Sequence, residues 1–179
     1  MTEAAQQYGQ ALYELARDEN ISKLLWEQMQ VLSEAFDSEP DFLRLLASVT
    51  VSKEERYDLL DESFRETIHP YLLNFLKILT QEGLIRKFPD CCKHFEGRYY
   101  EDNGILPVQV YTAKPLTAEQ TGRLAEKMES ITGKTVLLRN RIDPDCLGGV
   151  RLCYDGIQVD GTVKSRLDAI GKLLKNTVL

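Results

Sequence analysis

Histidine is nearly absent from this 179-residue chain, which has only His69 and His94. His69 stands beside a helix-starting proline and His94 on the outer side of a helical stripe. Neither lies in a recognisable nucleophile motif, so hydrolytic triad chemistry has no base to draw on. Paired cysteines are missing as well. Cys91, Cys92, Cys146 and Cys153 show no CxxC spacing, and the adjacent Cys91 and Cys92 suit the geometry of a mutual disulfide poorly. Zinc held by Cys91, Cys92 and His94 with Cys146 or Cys153 would lack the two spaced pairs of a structural site. Buried thiols in a reducing compartment are expected instead. No apolar run approaches the roughly 18 residues that span a bilayer, and the start MTEAAQQYGQ has neither the basic nor the apolar segment of a signal peptide. The expectation is a soluble protein, kept where it is made and not inserted in a membrane.

The glycine-rich stretch CLGGVRLCYDGIQVDGTVKSRL, residues 146–167, invites two ligand readings. Gly156 and Gly161 match the outer glycines of GxxxxGK[ST], but Thr162 and Val163 follow where a P-loop needs Lys and then Ser or Thr, and no GxGxxG is present. Asp143, Asp145 and Gly148 fit three positions of an EF-hand loop, yet Leu147 and Tyr154 occupy ligand positions, the second in place of the bidentate glutamate. No cofactor is expected. Asp160, ahead of a helix, reads as a capping carboxylate.

What is present is patterning. Hydrophobic residues make up 43% of the chain, enough for globular cores. Residues 1–104 carry 11 basic and 20 acidic side chains, net −9, while residues 105–179 carry 11 and 8, net +3. That asymmetry suggests two domains with different partners.

Up to Gly104 the apolar spacing is helical. Tyr8, Ala11, Leu12, Leu15 and Ala16 form one stripe; Leu25, Met29, Leu32 and Phe36 form the next, with Ser22 as its N-cap. PDFLRLLAS places Pro40 in a first turn. SKEE at 52–55 is a capping box opening a fourth helix with Leu59, Leu60 and Phe64. Pro70 starts a fifth, with Leu72, Phe75, Leu76 and Leu79 inward and Gly83 as its stop. Phe88, Cys92, Phe95 and Tyr99 mark a sixth. The reading is a six-helix bundle.

After Gly104 the period changes. LPVQVYT alternates as a strand with Val108 and Val110 on one face. Thr117 and Gln120 box a helix carrying Leu124, Met128 and Ile131, closed by Gly133. A second strand follows with Val136, Leu138 and Ile142 alternating. Two strands joined by a helix predict a parallel pair. Val150, Leu152 and Tyr154 then alternate before Asp155-Gly156, a hairpin signal. A final helix carries Val163, Leu167, Ile170, Leu173 and Leu174, with Lys164, Arg166, Lys172 and Lys175 on its flanks. The fold class predicted is α+β: the bundle over 1–104, then a small β-α-β-β-β-α domain over 105–179.

LGGVRLCYDGIQVDGTVKSRLDAIGKLL resembles the C-terminal signature of the δ subunit of bacterial F-type ATP synthase, the oligomycin-sensitivity-conferring protein of mitochondria. The matching positions are Gly148, Gly149, Asp160, Gly161, Thr162, Lys164, Arg166 and Leu167. YGQALYELA, NFLKILTQEG and RIDPDCLGGV are similar to further segments of that family. Departures are Gln7-Tyr8-Gly9, where the family has Arg-Tyr-Ala, and Glu82-Gly83-Leu84, where it has Asn-Gly-Arg.

The resemblance implies a non-catalytic stator subunit, peripheral on the cytoplasmic face of the bacterial cell membrane. By that resemblance the helical domain sits on the α3β3 head and takes an α-subunit N-terminal helix in a groove between its first and fifth helices, near Tyr8, Ala11, Leu12, Ile78 and Leu79. The second domain holds the b subunits of the peripheral stalk. The competing readings are a stand-alone enzyme around Asp143, Asp145 and Asp160, and a cytoplasmic or nucleic-acid-binding adaptor using the mildly basic second half; the latter lacks aromatic and basic interleaving.

Overall fold

The computed structural model describes residues 3–48, 50–165 and 167. The chain divides into two compact units, Met1–Tyr99 and Tyr100–Leu179. It is a helix-rich α+β protein. Helices α1 (Glu3–Asp18), α2 (Ser22–Ser38), α3 (Pro40–Leu46), α4 (Lys53–Phe64), α5 (Pro70–Gln81) and α6 (Phe88–Asp102) come first, with a 3-10 turn at Ile85–Lys87. Strand β1 (Ile105–Thr112), helix α7 (Ala118–Thr132) and strands β2 (Thr135–Ile142), β3 (Val150–Tyr154) and β4 (Ile157–Asp160) follow.

Helix starts obey local chemistry. Ser52 accepts from the Glu55 backbone N–H at 3.2 Å while Glu55 accepts from that of Ser52 at 3.0 Å, and Thr117 and Gln120 repeat the arrangement on α7. Such a cap contributes about 1 kcal/mol. Pro40 and Pro70 lie in first turns, and His69 caps α5 by accepting the Tyr71 N–H on Nδ1 at 3.3 Å. Ser22 does not cap α2: the N-cap is Ile21, and Ser22 already belongs to the helix.

The first unit is closed by Leu25, Met29, Leu32, Phe36, Leu72, Leu76, Phe88 and Phe95. On α1 the buried face is Ala5, Gly9, Leu12, Tyr13 and Ala16, which rotates the expected stripe and turns Leu15 outward at 40% exposure. Gly9 is the reason. A Cβ there would lie 2.8 Å from the Cys91 carbonyl oxygen and 3.1 Å from His94 Cβ, so α6 approaches α1 at backbone distance. Tyr13 meets Phe95 edge-on at 5.3 Å on the same side.

In the second unit the strand order is β2-β1-β3-β4. β1 and β2 pair in parallel from Ile105↔Thr135 to Thr112↔Ile142, and β3 is antiparallel to both β1 and β4. Leu106, Val108, Val110, Leu152 and Met128 form the core, with Leu124, Val136, Leu138, Val150 and Tyr154 packed on it. Ile131 and Ile142 are 65% and 50% exposed, so both fall outside the core their periodicity assigns. β2 is an edge strand and Ile142 is its last residue. Asp155 and Gly156, with φ of 44° and 75°, make the tight β3–β4 turn. The terminal stripe beyond Leu167, with Ile170, Lys172, Leu173, Leu174 and Lys175, lies outside the described residues, as does Arg166.

Candidate partner-binding surfaces

The residues expected at a partner helix separate by burial. Ala11 is exposed, Tyr8 half-buried, and Ile78 is 47% exposed on α5. Leu12 and Leu79 are 4% and 0% exposed, so both belong to the core beneath that surface. Tyr8, Ala11 and Leu15 recur at i, i+3 and i+7, an apolar row along the outer side of α1. Leu15 belongs to that row although its spacing first suggests the core.

In the second unit the glycine-rich segment folds onto itself. A Cβ on Gly149, at φ 77°, would overlap the Gly161 carbonyl oxygen and lie 3.1 Å from Thr162 Cα. The Gly161 N–H donates to Val150 O at 2.9 Å, and the Val163 N–H to Gly148 O at 3.0 Å. The Gly148-Gly149 bend and the Asp160-Gly161-Thr162 turn therefore clasp each other backbone to backbone. Asp160 Oδ1 accepts the Thr162 N–H at 2.9 Å, while Thr162 Oγ1 accepts the Ser165 N–H at 3.2 Å. Thr162 is thus the cap of the helical turn at 163–165, and Asp160 fixes the bend before it. This corrects the capping role expected of Asp160. The Thr162 hydrogen bonds hold the Asp160 carboxyl below the usual aspartate range.

The other carboxylates are likewise engaged. Asp143 Oδ2 accepts from Arg151 at 2.9 Å, and its Oδ1 takes the Asp145 N–H at 3.1 Å. The Arg151 guanidinium lies 4.5 Å from the centre of the Tyr111 ring, tying β3 to β1. Asp145 is exposed, 3.9 Å from Lys164 Nζ. Among the described residues no three His, Cys, Asp or Glu side chains gather as a metal site, and no helix is long and apolar enough to cross a membrane. Burial pushes the Cys91 thiol up to about 11 and Cys92 higher still, the reverse of a nucleophile's tuning. What the geometry offers is two supports for binding: an apolar row on the helices, and a clasped turn that leads into the helical turn at 163–165.

A model of the ATP synthase delta (OSCP) subunit family matches residues 4–174. The chain belongs to that family. Two proteins called ATP synthase subunit delta are similar to it: one from Alkalihalophilus pseudofirmus, 30% identical with 95% of this chain and 94% of that protein covered, and one from Lacticaseibacillus casei, 32% identical over 92% and 91%. A chain in the Toxoplasma gondii mitochondrial ATP synthase hexamer shares the fold, with a TM-score of 0.73 at 20% identity over 97% of this chain and 98% of that one. As a family member the chain is a structural, non-catalytic stator component of an F-type ATP synthase, peripheral to the membrane complex. The enzyme and nucleic-acid readings give way to it.

Proposed function

We propose that residues 1–104, as a six-helix bundle, grip the N-terminal helix of an α subunit of the α3β3 head between α1 and α5, and that residues 105–179 hold the b subunits of the peripheral stalk. The head is thereby kept from turning with the rotor on the cytoplasmic face of a bacterial membrane, so that proton flow drives ATP synthesis. The family match over residues 4–174 carries this reading. The exposed apolar positions on α1 and α5, and the opposite net charges of the two chain segments, support it.

Tyr8, Ala11 and Ile78 are the contacts assigned to the α-subunit helix; Leu12 and Leu79 hold them from below. Gly148, Gly149, Asp160, Gly161, Thr162, Arg166 and Leu167 are the family-signature positions assigned to the stalk side. A partner helix burying about three apolar side chains gains on the order of 5–9 kcal/mol, and ordering it costs about 2–5 kcal/mol. One contact is moderate; two contacts in one assembly raise the effective concentration of each. The test is binding of an α N-terminal peptide to the full chain. Ile78→Asp in a folded variant is expected to weaken it about tenfold or more, and unchanged affinity overturns the α1–α5 assignment. Affinity purification from membranes is expected to bring α, β and b subunits; their absence would end the stator reading.

A further inference from the structure

The helical unit has a second apolar opening, lined by none of the positions just assigned. Leu24, Gln28, Val31 and Ala35 recur along α2 at spacings of 4, 3 and 4, one seam of a helix. With Phe64 and Ile68 on the facing wall they line a cleft of about 280 Å³. Val31 is 66% and Leu24 42% exposed, so the seam is open to solvent while its neighbour Leu32 is core. The walls are tied together: Gln28 Oε1 accepts the His69 backbone N–H at 2.9 Å, linking α2 to the start of α5, and Phe64 packs edge-on against Phe36 at 6.1 Å.

The rims are acidic. Glu27 borders the cleft, and Glu34, seven residues on, is exposed along the same flank. Glu62 and Glu66 line an adjoining hollow that shares Thr67 with the cleft. Nearby bases are Arg65 in that hollow and Lys23, whose pairing with Glu27 is an exposed contact at 3.8 Å and weak for that reason. Carboxylates bordering the cleft and its adjoining hollow repel an acidic segment and favour a basic one.

We infer that this α2 cleft is a docking site for an amphipathic protein helix with apolar residues at i, i+4 and i+7 and Lys or Arg on its flanks. The site is independent of the α1–α5 reading. It gives the helical unit a second helix-binding surface, selective by charge.

The probe is a fluorescently labelled helical peptide of about 18 residues, with leucines at i, i+4 and i+7 and lysines on both flanks, compared with a twin carrying glutamates there. Anisotropy titration with the full chain is expected to show binding of the lysine peptide, weakening as salt rises, and at least about tenfold weaker binding of the twin. Val31→Asp, and separately Leu24→Glu, should each weaken the lysine peptide about tenfold or more with an unchanged circular dichroism spectrum. Glu27→Lys with Glu34→Lys should narrow or invert the preference, and Ile78→Asp should change nothing. Failure of the lysine peptide to bind, equal binding of both peptides, indifference to both seam variants, or loss on Ile78→Asp would each overturn the assignment. Self-association of the chain that Val31→Asp abolishes would do so too, since the occupant would then be a second copy.

Discussion

Replacing Gly149 with alanine adds one methyl group, and the clasped turn makes its effect calculable. The residue sits at φ 77°, where a Cβ costs about 1–2 kcal/mol in backbone energy alone. The new carbon would also overlap the Gly161 carbonyl oxygen and crowd Thr162 Cα at 3.1 Å. Neither neighbour is a side chain that can rotate away, so the backbone itself must shift, and overpacking of that kind costs about 1–3 kcal/mol. The sum is about 2–5 kcal/mol. For a unit of this size each kcal/mol moves the melting temperature by about 4–8 °C, so Gly149→Ala should lower it by at least about 8 °C. Gly156→Ala is the control: its φ of 75° is equally left-handed, but nothing lies within 4 Å of the added Cβ, so only the backbone part of the penalty applies. Scanning calorimetry of the full chain compares the two. If Gly149→Ala melts no lower than Gly156→Ala, the close approach is not what requires glycine.

Three further outcomes follow from the same geometry. Gly9→Ala should destabilise by about 1–3 kcal/mol in urea unfolding, because α6 blocks the Cβ; helix propensity alone predicts a gain of about 1 kcal/mol, so the sign decides between them. With Cys91 near 11 and Cys92 above it, iodoacetamide at pH 8 should label neither until denaturant is added, and mass spectrometry showing native labelling would contradict their burial. Because folding lowers the Asp160 pKa, the stability it supplies is present above the ordinary aspartate value near 4 and is lost as pH falls through the folded value. Asp160→Asn should therefore flatten the acid limb of a urea-midpoint profile between pH 7 and pH 3, and an unchanged limb would refute this role.

Much of the local architecture is legible in the residues. Ser52 with Glu55, Thr117 with Gln120, and Asp155-Gly156 each specify a local hydrogen-bonding pattern or a positive φ within a few positions, and each is where its spacing places it. Alternation in LPVQVYT likewise marks the buried face of β1. The misreadings arise where distant chain decides. Apolar counting cannot see Gly9 as the buried centre of α1, since it has no side chain to count, and so assigns Leu15 to the core. Ile142 alternates correctly, but alternation does not reveal which strands lie at an edge. Leu12 and Leu79 carry the right chemistry for a partner contact; only tertiary burial marks them as core and distinguishes Leu79 from Ile78, one residue away. The Arg151 tie to Asp143 and Tyr111 depends on β1 and β3 being neighbours, which no short window reveals.

The backbone clasp also bears on how force would travel. A pull applied beyond Val163 meets the Val163 N–H···O bond to Gly148 and the Gly161 N–H···O bond to Val150, and so reaches the sheet through two main-chain hydrogen bonds. Neither of those two bonds contains a rotatable side chain that could lengthen under load. The joint between the helical turn at 163–165 and the sheet is therefore stiff, and whatever elastic give a stator needs must come from elsewhere along the chain or from its partners.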